Sequence, residues 1–525
     1  MRPWILALAA LVALPSAATA VDDASPKTVE DAIVALEKTD PGSPEALNDR
    51  LEYAQFLVSA TDVDCHQRLD SAQSQLDTVA ENPAVDVVLP IGRARLADIR
   101  YQIHLAGASC GADPSERERE LRAALAEALH AVDLYRDALD YQSMAILQFD
   151  AGVTQRMLGD DTAAVAALEA AIEMDREYGF HQDAEDNYKL LALWKGPAKA
   201  PDLPTAQVVN PPGDAVADPT SDFPSRTTTL KFAWLASDAT LGIEIDHASV
   251  RDGNVNRGSV YRLFKQHVHA SHGGWVVSYE PGQVDYDVST WPSEPGDLNN
   301  LAWSFGRTLP LPGFEIGTKG DFKHVVNPGS VSSDQYAAVR ALILGHTQPA
   351  AGASRLPGWV ARATKLLFGP AAVEQNTAEA YDFKTGVWIG AKLEQGVWYN
   401  MSAPLTLSGA RQLVLPHDIE FAYTRDLPCS GTFTDRSCVE IVVHATPQAD
   451  AIARLLSVVR QELGGRRVAQ PQFWSTTYMR IVTDPLTLTP YVYDERRFWH
   501  IGGDNPGKDK PENKAERLVS TFTYP

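Results

Sequence analysis

A chain of 525 residues with 44% hydrophobic residues is long enough for two to four folded domains, and this composition excludes a wholly disordered protein. The formal net charge of −22 is unevenly spread: residues 22–195 hold 34 acidic and 15 basic residues, whereas residues 196–525 are nearly balanced. An acidic surface repels nucleic acid and anionic membranes, so no nucleic-acid partner is expected. It either favours a basic partner or only keeps the protein soluble.

The first twenty residues have the order of a secretory signal peptide. Arg2 precedes an apolar run from Trp4 to Leu14, and small residues lead to Ala20. We predict a signal peptide over residues 1–20, cleavage after Ala20, and a periplasmic or extracellular protein. A signal anchor is the alternative, although the apolar run is short for a membrane span. No later segment has about eighteen consecutive apolar residues, so no transmembrane segment is expected.

Residues 21–195 have the apolar spacing of amphipathic helices separated by short turns, which predicts an acidic, all-α domain. The predicted helices cover residues 28–38, 44–59, 65–81, 91–106, 115–138, 141–158, 161–175 and 182–194. Short joints between successive helices imply antiparallel neighbours.

One helical pair, SMAILQFDAGVTQRMLGDDTAAVAALEAAIEMD, resembles a tetratricopeptide repeat over about one repeat, residues 145–178. The matching positions are Gly152, Gly159, Asp160, Ala164, Leu168 and Ala171. Two positions depart from the family, because Gln148 replaces its aromatic residue and Arg176 its closing proline. The resemblance implies a stacked helical array with a groove for a protein or peptide partner. The alternative is a groove filled by the rest of the chain.

Residues 196–225 form a proline-rich linker, because they hold seven prolines and no apolar periodicity. Beyond it, residues 226–525 alternate apolar and polar side chains, which is typical of antiparallel strands with one buried face. Predicted strands lie in residues 229–236, 259–270, 274–280, 284–291, 314–326, 396–407, 419–428, 438–446, 475–484, 488–501 and 516–524. Predicted helices cover residues 333–345, 357–368 and 448–463.

This order predicts one large antiparallel sheet curved around one or more helices, and an α+β fold of two bodies for the whole chain. The endings TYMRIVTDPLTLTPYVYDERRFWHI and ERLVSTFTY, together with FEIGTKGDFKHVVNPGS, weakly resemble secreted bacterial proteins of unknown function with a curved, open sheet. That resemblance implies a gutter whose concave face holds an apolar ligand. The alternative is a concavity filled by the helices.

The four cysteines, Cys65, Cys110, Cys429 and Cys438, allow three disulfide pairings. Only one keeps each bridge within one body: Cys65 with Cys110, and Cys429 with Cys438. In the chain-entropy model the longer loop would stabilise the fold by about 4 kcal/mol and the shorter by about 2.5–3 kcal/mol. Zinc binding needs closer cysteine or histidine spacing.

Catalytic and cofactor signatures do not emerge from the sequence. His267, His269 and His272 could approach a metal, but strand histidines beside a hairpin turn are commonly only solvent-exposed. His324, His444, Asp321 and Ser475 could converge as a hydrolytic triad, although no motif selects them. We therefore name no catalytic, metal or cofactor-binding residue.

The sequence favours a non-catalytic, secreted or periplasmic binding or scaffold protein of the cell envelope. Its helical module would bind a protein or peptide, and its β domain would hold an apolar ligand. The competing hypothesis is an extracytoplasmic hydrolase with its site in the β-rich half. Converging His, Asp and Ser side chains in a polar pocket would favour the hydrolase.

Overall fold

The computed structural model describes residues 43–60, 64–110, 113–195, 226–234, 237–251, 254–287, 310–346, 369–406, 414–429, 436–448, 473–501 and 512–525. Within them the protein has the predicted α+β fold, with an N-terminal helical body and a large antiparallel sheet. The predicted signal peptide, the linker over residues 196–225, and the helices over residues 28–38 and 357–368 lie outside the described residues. So does the helix over residues 448–463, apart from Gln448.

The helical body consists of α1 Pro44–Ser59, α2 Cys65–Glu81, α3 Val85–Val88, α4 Gly92–Cys110, α5 Pro114–Asp137, α6 Tyr141–Met157, α7 Asp161–Tyr178 and α8 His181–Lys195. Side-chain caps start most of them: Ser43, Asp64, Asp113, Asp140 and Asp160 each accept a hydrogen bond from a backbone N–H of the first turn. The seven longer helices agree with the predicted ones, with end shifts of up to four residues. The short α3 was not predicted, because its single turn carries no periodic signal.

The α6–α7 pair contains two glycines, one in the turn and one where the helices pack. Gly159 has φ +82°, which favours glycine, and it reverses the chain. A methyl group at Gly152 would lie 3.2 Å from the Ala164 carbonyl oxygen, so glycine lets the helices approach closely. The two helices are therefore a tightly packed antiparallel pair.

Eleven strands form the main sheet in the order β6-β5-β4-β3-β2-β13-β12-β11-β10-β9-β8, with every neighbour antiparallel. The strands are β2 Ser237–Arg251, β3 Asn254–Ser271, β4 Gly274–Asp287, β5 Phe314–Gly317, β6 Phe322–Val325, β8 Trp398–Thr406, β9 Val414–Pro428, β10 Ser437–Pro447, β11 Phe473–Thr483, β12 Pro490–Ile501 and β13 Glu512–Thr523. A separate two-stranded sheet pairs β1 Thr227–Thr229 with β7 Lys392–Glu394.

Three strand predictions were wrong in detail. Of the predicted strand over residues 229–236, the described part to residue 234 is a strand only at Thr229, because the following backbone N–H groups bond to scattered partners such as Ala391, Pro485 and Thr487. Residues 284–287 continue β4 rather than starting a strand. The central strand β2 was missed, although apolar side chains alternate with non-apolar ones from Ala239 to Ile245.

Among the described residues, two helices accompany the sheet, α9 Pro328–His346 and α10 Pro370–Lys384, and a short 3-10 turn Gly386–Trp388 follows. The prediction placed α9 five residues too late and missed α10. Helix α10 packs against both outermost strands, β6 and β8. In a flat sheet ten strand spacings would separate those strands by about 48 Å, whereas a 15-residue helix is only about 22 Å long. The sheet therefore curves around α10.

We call the side of the sheet that faces α10 the concave face. Its apolar core joins strand residues such as Ile441 and Met479 to Leu230, Trp388 and Leu393 from the covering segments. Helix α10 reaches the β6 end through Tyr381, whose ring lies 5.7 Å from that of Phe314. This core occupies the end of the concave face next to α10.

The helical body packs on the opposite face of the sheet. Val250, Ala248 and Ala515 join the core of the first helices, and Val442 joins the core built by α4–α6. The acidic helices also meet arginines of the sheet: Arg425 Nη1 lies 2.5 Å from Glu177 Oε1. Part of the helical body's negative charge is thus matched within the chain.

Both disulfides are present, Cys65–Cys110 and Cys429–Cys438. The first joins the start of α2 to the end of α4 across 45 positions. The second spans nine positions between β9 and β10. Each bridge therefore stays within one body.

Candidate functional site

Charged side chains stand on the central strands of the concave face, among apolar residues and the buried Arg262 of β3. The strand registers align Val443, Met479, Glu495, Leu518 and Ile245 across β10, β11, β12, β13 and β2. Glu495 is the one charged residue among these five, and it is 7% exposed. Glu495 therefore places a buried charge on a face that serves as core elsewhere.

The next row along the strands brings Arg497, Glu516 and His247 side by side on β12, β13 and β2. Arg497 Nη2 lies 2.6 Å from Glu495 Oε1, and its Nε donates to the same oxygen at 2.7 Å. The Glu495 side chain is 9% exposed and that of Arg497 is 51% exposed. The ion pair therefore runs from a buried carboxylate to a guanidinium that solvent can reach.

Lys384, the last residue of α10, brings a third charge to this place. Its Nζ lies 5.2 Å from the centre of the Tyr493 ring. The Tyr493 hydroxyl is 3.2 Å from Thr385 Oγ1, which fixes the end of the helix over the sheet. Within the described residues the Lys384 ammonium makes no ion pair. We call Lys384, Glu495, Arg497 and Glu516 the concave charged cluster.

The pKa shifts show how the concave charged cluster is charged at neutral pH. Burial acts to raise the pKa of Glu495, but the charges of Arg497 and Lys384 hold it below its usual value. Burial lowers the pKa of Lys384, against the attraction of Glu495. Burial raises the pKa of Glu516 despite nearby Arg497. The two cations therefore face one firmly ionised carboxylate and a second that takes up a proton more readily.

His247 borders the concave charged cluster without adding charge. Burial, helped by the positive charge of Lys514, lowers its pKa to about 4. The imidazole is therefore neutral at physiological pH. It lies opposite Glu516 across the β13–β2 pair.

The histidines of HVHASH do not form a metal site in the structure. His267 Nδ1 lies 2.9 Å from Asp238 Oδ1, while Nε2 lies 3.6 Å from Glu280 Oε2. Because the two nitrogens point to opposite sides of the ring, one ion cannot bind through both carboxylates and the imidazole. Across the described part of the chain, no three His, Cys, Asp or Glu side chains are arranged to hold a metal ion.

The possible triad members are not brought together. His324 and Asp321 lie at the β6 edge, whereas His444 and Ser475 lie on β10 and β11, near the other end of the strand order. The His444 ring packs against Tyr478 and Trp398, at 4.4 and 5.0 Å between ring centres. These residues give the hydrolase hypothesis no geometric support.

Sequence reasoning missed the concave charged cluster. The signal was present in YDERRFWH, where Tyr493, Glu495, Arg497 and Trp499 alternate with the opposite face. Two charges on the same face as two aromatic residues depart from a core strand. Lys384 carried no signal, because its helix was not predicted.

Comparisons with known proteins give no family for this chain. No protein-family model matches it, and no curated protein matches it. A solved structure of lipovitellin, described as concerning lipid–protein interactions in that protein, aligns with 55% of this chain and 26% of its own at 9% identity. The chain thus spans about a quarter of that protein's length. With a TM-score of 0.27, this similarity carries no argument about function.

Proposed function

We propose that this chain is a non-catalytic binding protein of the cell envelope whose curved sheet holds an apolar or lipid ligand against its concave face. The support is the concave charged cluster, which stands on the central strands beside the partly buried Leu518. Charges on the central strands give up packing that apolar side chains would provide, which is expected where a face serves binding. Curvature supplies the concave shape that ligand sites generally need.

We propose a periplasmic or extracellular location. Two disulfides are compatible with it, because disulfides persist in oxidising compartments. In the described residues no helix is long and apolar enough to cross a membrane. The signal-peptide pattern of residues 1–20 supports the same location.

We propose that the helical body is a tetratricopeptide-like module that binds a protein or peptide. The close α6–α7 pair supports this, and so does an open cleft of about 500 Å³ in the first two helices. The cleft is lined by Tyr53, Gln67, Asp70, Ser71, Ser74 and Gln75. Its hydroxyl, amide and carboxylate groups suit the backbone and basic side chains of a peptide.

Photo-crosslinking tests the helical module. A photoreactive residue at Ser74 in the cleft should capture one discrete partner in the native compartment, whereas the same residue at exposed Val387 in the β-rich half should not. Equal capture at both positions would contradict a binding role for the cleft.

Native mass spectrometry of the oxidised mature protein tests the proposed ligand. We expect a bound mass of lipid size that is lost on mild denaturation. Leu518→Trp, which fills the concave face, should abolish that mass. The matched control is Thr521→Trp on the same strand, because Thr521 is exposed and points to the other face.

A ligand-free protein that also takes up no lipid from vesicles would contradict the proposal. Equal ligand loss in Leu518→Trp and Thr521→Trp would place the ligand elsewhere. Thermal unfolding of both variants separates a blocked site from a misfolded sheet.

A further inference from the structure

An exposed tryptophan lies at the β8 end of the sheet, on the face opposite to the concave face. Trp398, the first residue of β8, is 41% exposed. Its ring centre is 5.0 Å from that of His444 on β10, and the His444 ring is 4.4 Å from that of Tyr478 on β11. Tyr478 in turn lies 6.2 Å from Phe498 on β12. A row of aromatic rings therefore crosses the sheet and ends at a ring that solvent can reach.

A carboxylate and an amide stand beside this tryptophan. In the β8–β9 register Asn400 lies opposite Glu420, which makes Glu420 the diagonal neighbour of Trp398 on the same face. Diagonal neighbours are about 7–8 Å apart, within reach of long and aromatic side chains. Asn400 and Glu420 are both exposed. Within the described part of the chain, neither side chain makes a hydrogen bond or an ion pair, so both are available to a ligand.

The described strand residues place no free cation beside Glu420. On this face the arginines of β9–β13 are engaged with other carboxylates, in the pairs Arg425–Glu440, Arg480–Glu440, Arg496–Asp494 and Arg517–Asp494. His444 is neutral at physiological pH, because burial lowers its pKa to about 4. Burial, with the negative charges of Asp140 and Glu420, raises the pKa of Tyr478 to about 12. The surroundings of Trp398 are therefore aromatic and negatively charged.

We propose that the Trp398 surface, formed by Trp398, Asn400, Glu420 and His444, binds an arginine side chain of a basic partner protein. The guanidinium stacks on the Trp398 ring and pairs with Glu420. Tryptophan attracts cations best among the aromatic rings, and arginine is the cation most often found there. Its planar donor fork also suits a carboxylate. The acidic helical body next to this face favours the same kind of partner. None of these four residues belongs to the concave charged cluster or to the cleft of the first two helices.

The test uses NMR of the full mature chain with isotope-labelled tryptophan, so that each indole N–H gives one signal. Trp398→Phe identifies the Trp398 signal by its loss. The probes are acetylarginine amide and its neutral isostere, acetylcitrulline amide. We expect the arginine probe to shift the Trp398 signal in a saturable way and to bind about tenfold more tightly than the citrulline probe, because citrulline has lost the charge.

Glu420→Gln keeps the shape of the side chain and removes its charge. It should weaken binding of the arginine probe about threefold or more and leave the citrulline probe unchanged. The matched control is Glu244→Gln on the same face of the sheet. Glu244 is exposed and lies opposite the exposed Tyr261, but its charge is already offset by Arg517. The control should change the binding of neither probe.

Three outcomes would overturn the proposal. Equal binding of the two probes would show that the charge is not recognised. A Trp398 signal that responds to cellobiose and not to the arginine probe would assign the surface to a sugar. Equal losses in Glu420→Gln and Glu244→Gln would show that arginine responds only to the overall negative charge. The probe comparison uses the unaltered chain, so it holds even if a variant fails to fold.

Discussion

Two carboxyl groups in buried residues, Asp175 in the helical body and Glu440 in the sheet, have pKa shifts of opposite direction. In the helical body, burial raises the pKa of Asp175 to about 7, and its hydrogen-bond partner is the neutral Asn187 amide, 2.8 Å away. In the sheet, burial acts to raise the pKa of Glu440, yet Arg480 and Arg425 hold it below its usual value. The direction of the pKa shift therefore depends on the kind of partner and not on the depth of burial.

The contributions of these two groups to stability should respond to pH with opposite sign. A carboxyl whose folded-state pKa is raised contributes stability that is full below its unfolded pKa and is lost as pH rises through the folded pKa. A carboxylate with a lowered pKa contributes stability that is present above its unfolded pKa and is lost as pH falls. Acid therefore favours the buried aspartates of the helices and opposes the arginine-paired carboxylates of the sheet.

The largest expected effect comes from breaking the arginine pairing in the sheet. Arg480 Nε lies 2.5 Å from Glu440 Oε2, and the Glu440 side chain is fully buried. Arg480→Met should destabilise the protein by about 3–5 kcal/mol, because a buried carboxylate loses its closest cation. Urea unfolding followed by circular dichroism measures this loss.

The matched control is Arg119→Met on α5, whose side chain is 67% exposed and pairs with Glu116 and Glu120. It should leave stability unchanged within error, because surface ion pairs contribute little. Equal losses in the two variants would mean that burial of Glu440 has no energetic consequence.

A smaller effect is expected where the two bodies interlock. Gly396 has φ +75°, and a methyl group there would overlap the carbonyl oxygen of Gly179, which itself has φ +82°. Gly396→Ala should lose about 3 kcal/mol from backbone strain and overpacking. Because the contact between the helical body and the sheet is then weaker, the two should unfold in separate transitions, which calorimetry measures.

Gly390→Ala is the control that separates backbone strain from steric overlap. Gly390 has φ +79°, but nothing lies within 4 Å of the added methyl group. It should lose only about 1 kcal/mol and keep a single transition. A single transition in both variants would show that contact at Gly396 does not couple the bodies.

The effect of a raised carboxyl pKa in the helical body can be tested at Asp175, which is 2% exposed. Asp175→Asn removes the ionisation and keeps a hydrogen-bonding oxygen for Asn187. We expect a gain of about 2 kcal/mol at pH 8 and little change at pH 4, since the ionised form is the one that burial disfavours. Denaturant unfolding at both pH values checks this, and a gain that is equal at the two values would contradict it.

The sheet has its own acid-sensitive group in His444. Burial lowers its pKa to about 4, so its contribution to stability is lost as pH falls from 6.5 towards 4. His444→Phe keeps the contacts with Tyr478 and Trp398 and should remove about 2 kcal/mol of acid destabilisation in that window. An unchanged pH slope in the variant would place the sensitivity on other groups.

Local signals explain which parts of the fold were predictable. Helix starts were found because capping residues such as Asp64 and Asp160 directly precede periodic apolar residues. Helix α10 was missed because its buried positions, Ala372, Val373 and Tyr381, do not form a continuous stripe. Strand β2 was missed although its alternation from Ala239 to Ile245 is itself a local signal.

The candidate site depends on contacts that no local pattern contains. Thr385 and Tyr493 are 108 positions apart in the chain, and only strand register and the end of α10 bring them together. The alternation around Glu495 was visible, but the apolar identity of its neighbours on β11 and β13 was not. Alternation was therefore enough to predict an antiparallel sheet, whereas it could not predict which side chains lie next to each other on neighbouring strands.

The pairing of β2 with β13 determines when the sheet can form. Strand β13 lies in the middle of the strand order and connects the half that contains β2–β6 to the half that contains β8–β12. During synthesis the two halves stay unconnected until residues 512–523 emerge, and closing so long a loop makes folding slow. Glu516 lies on that same strand, so a partly synthesised chain lacks part of the concave charged cluster.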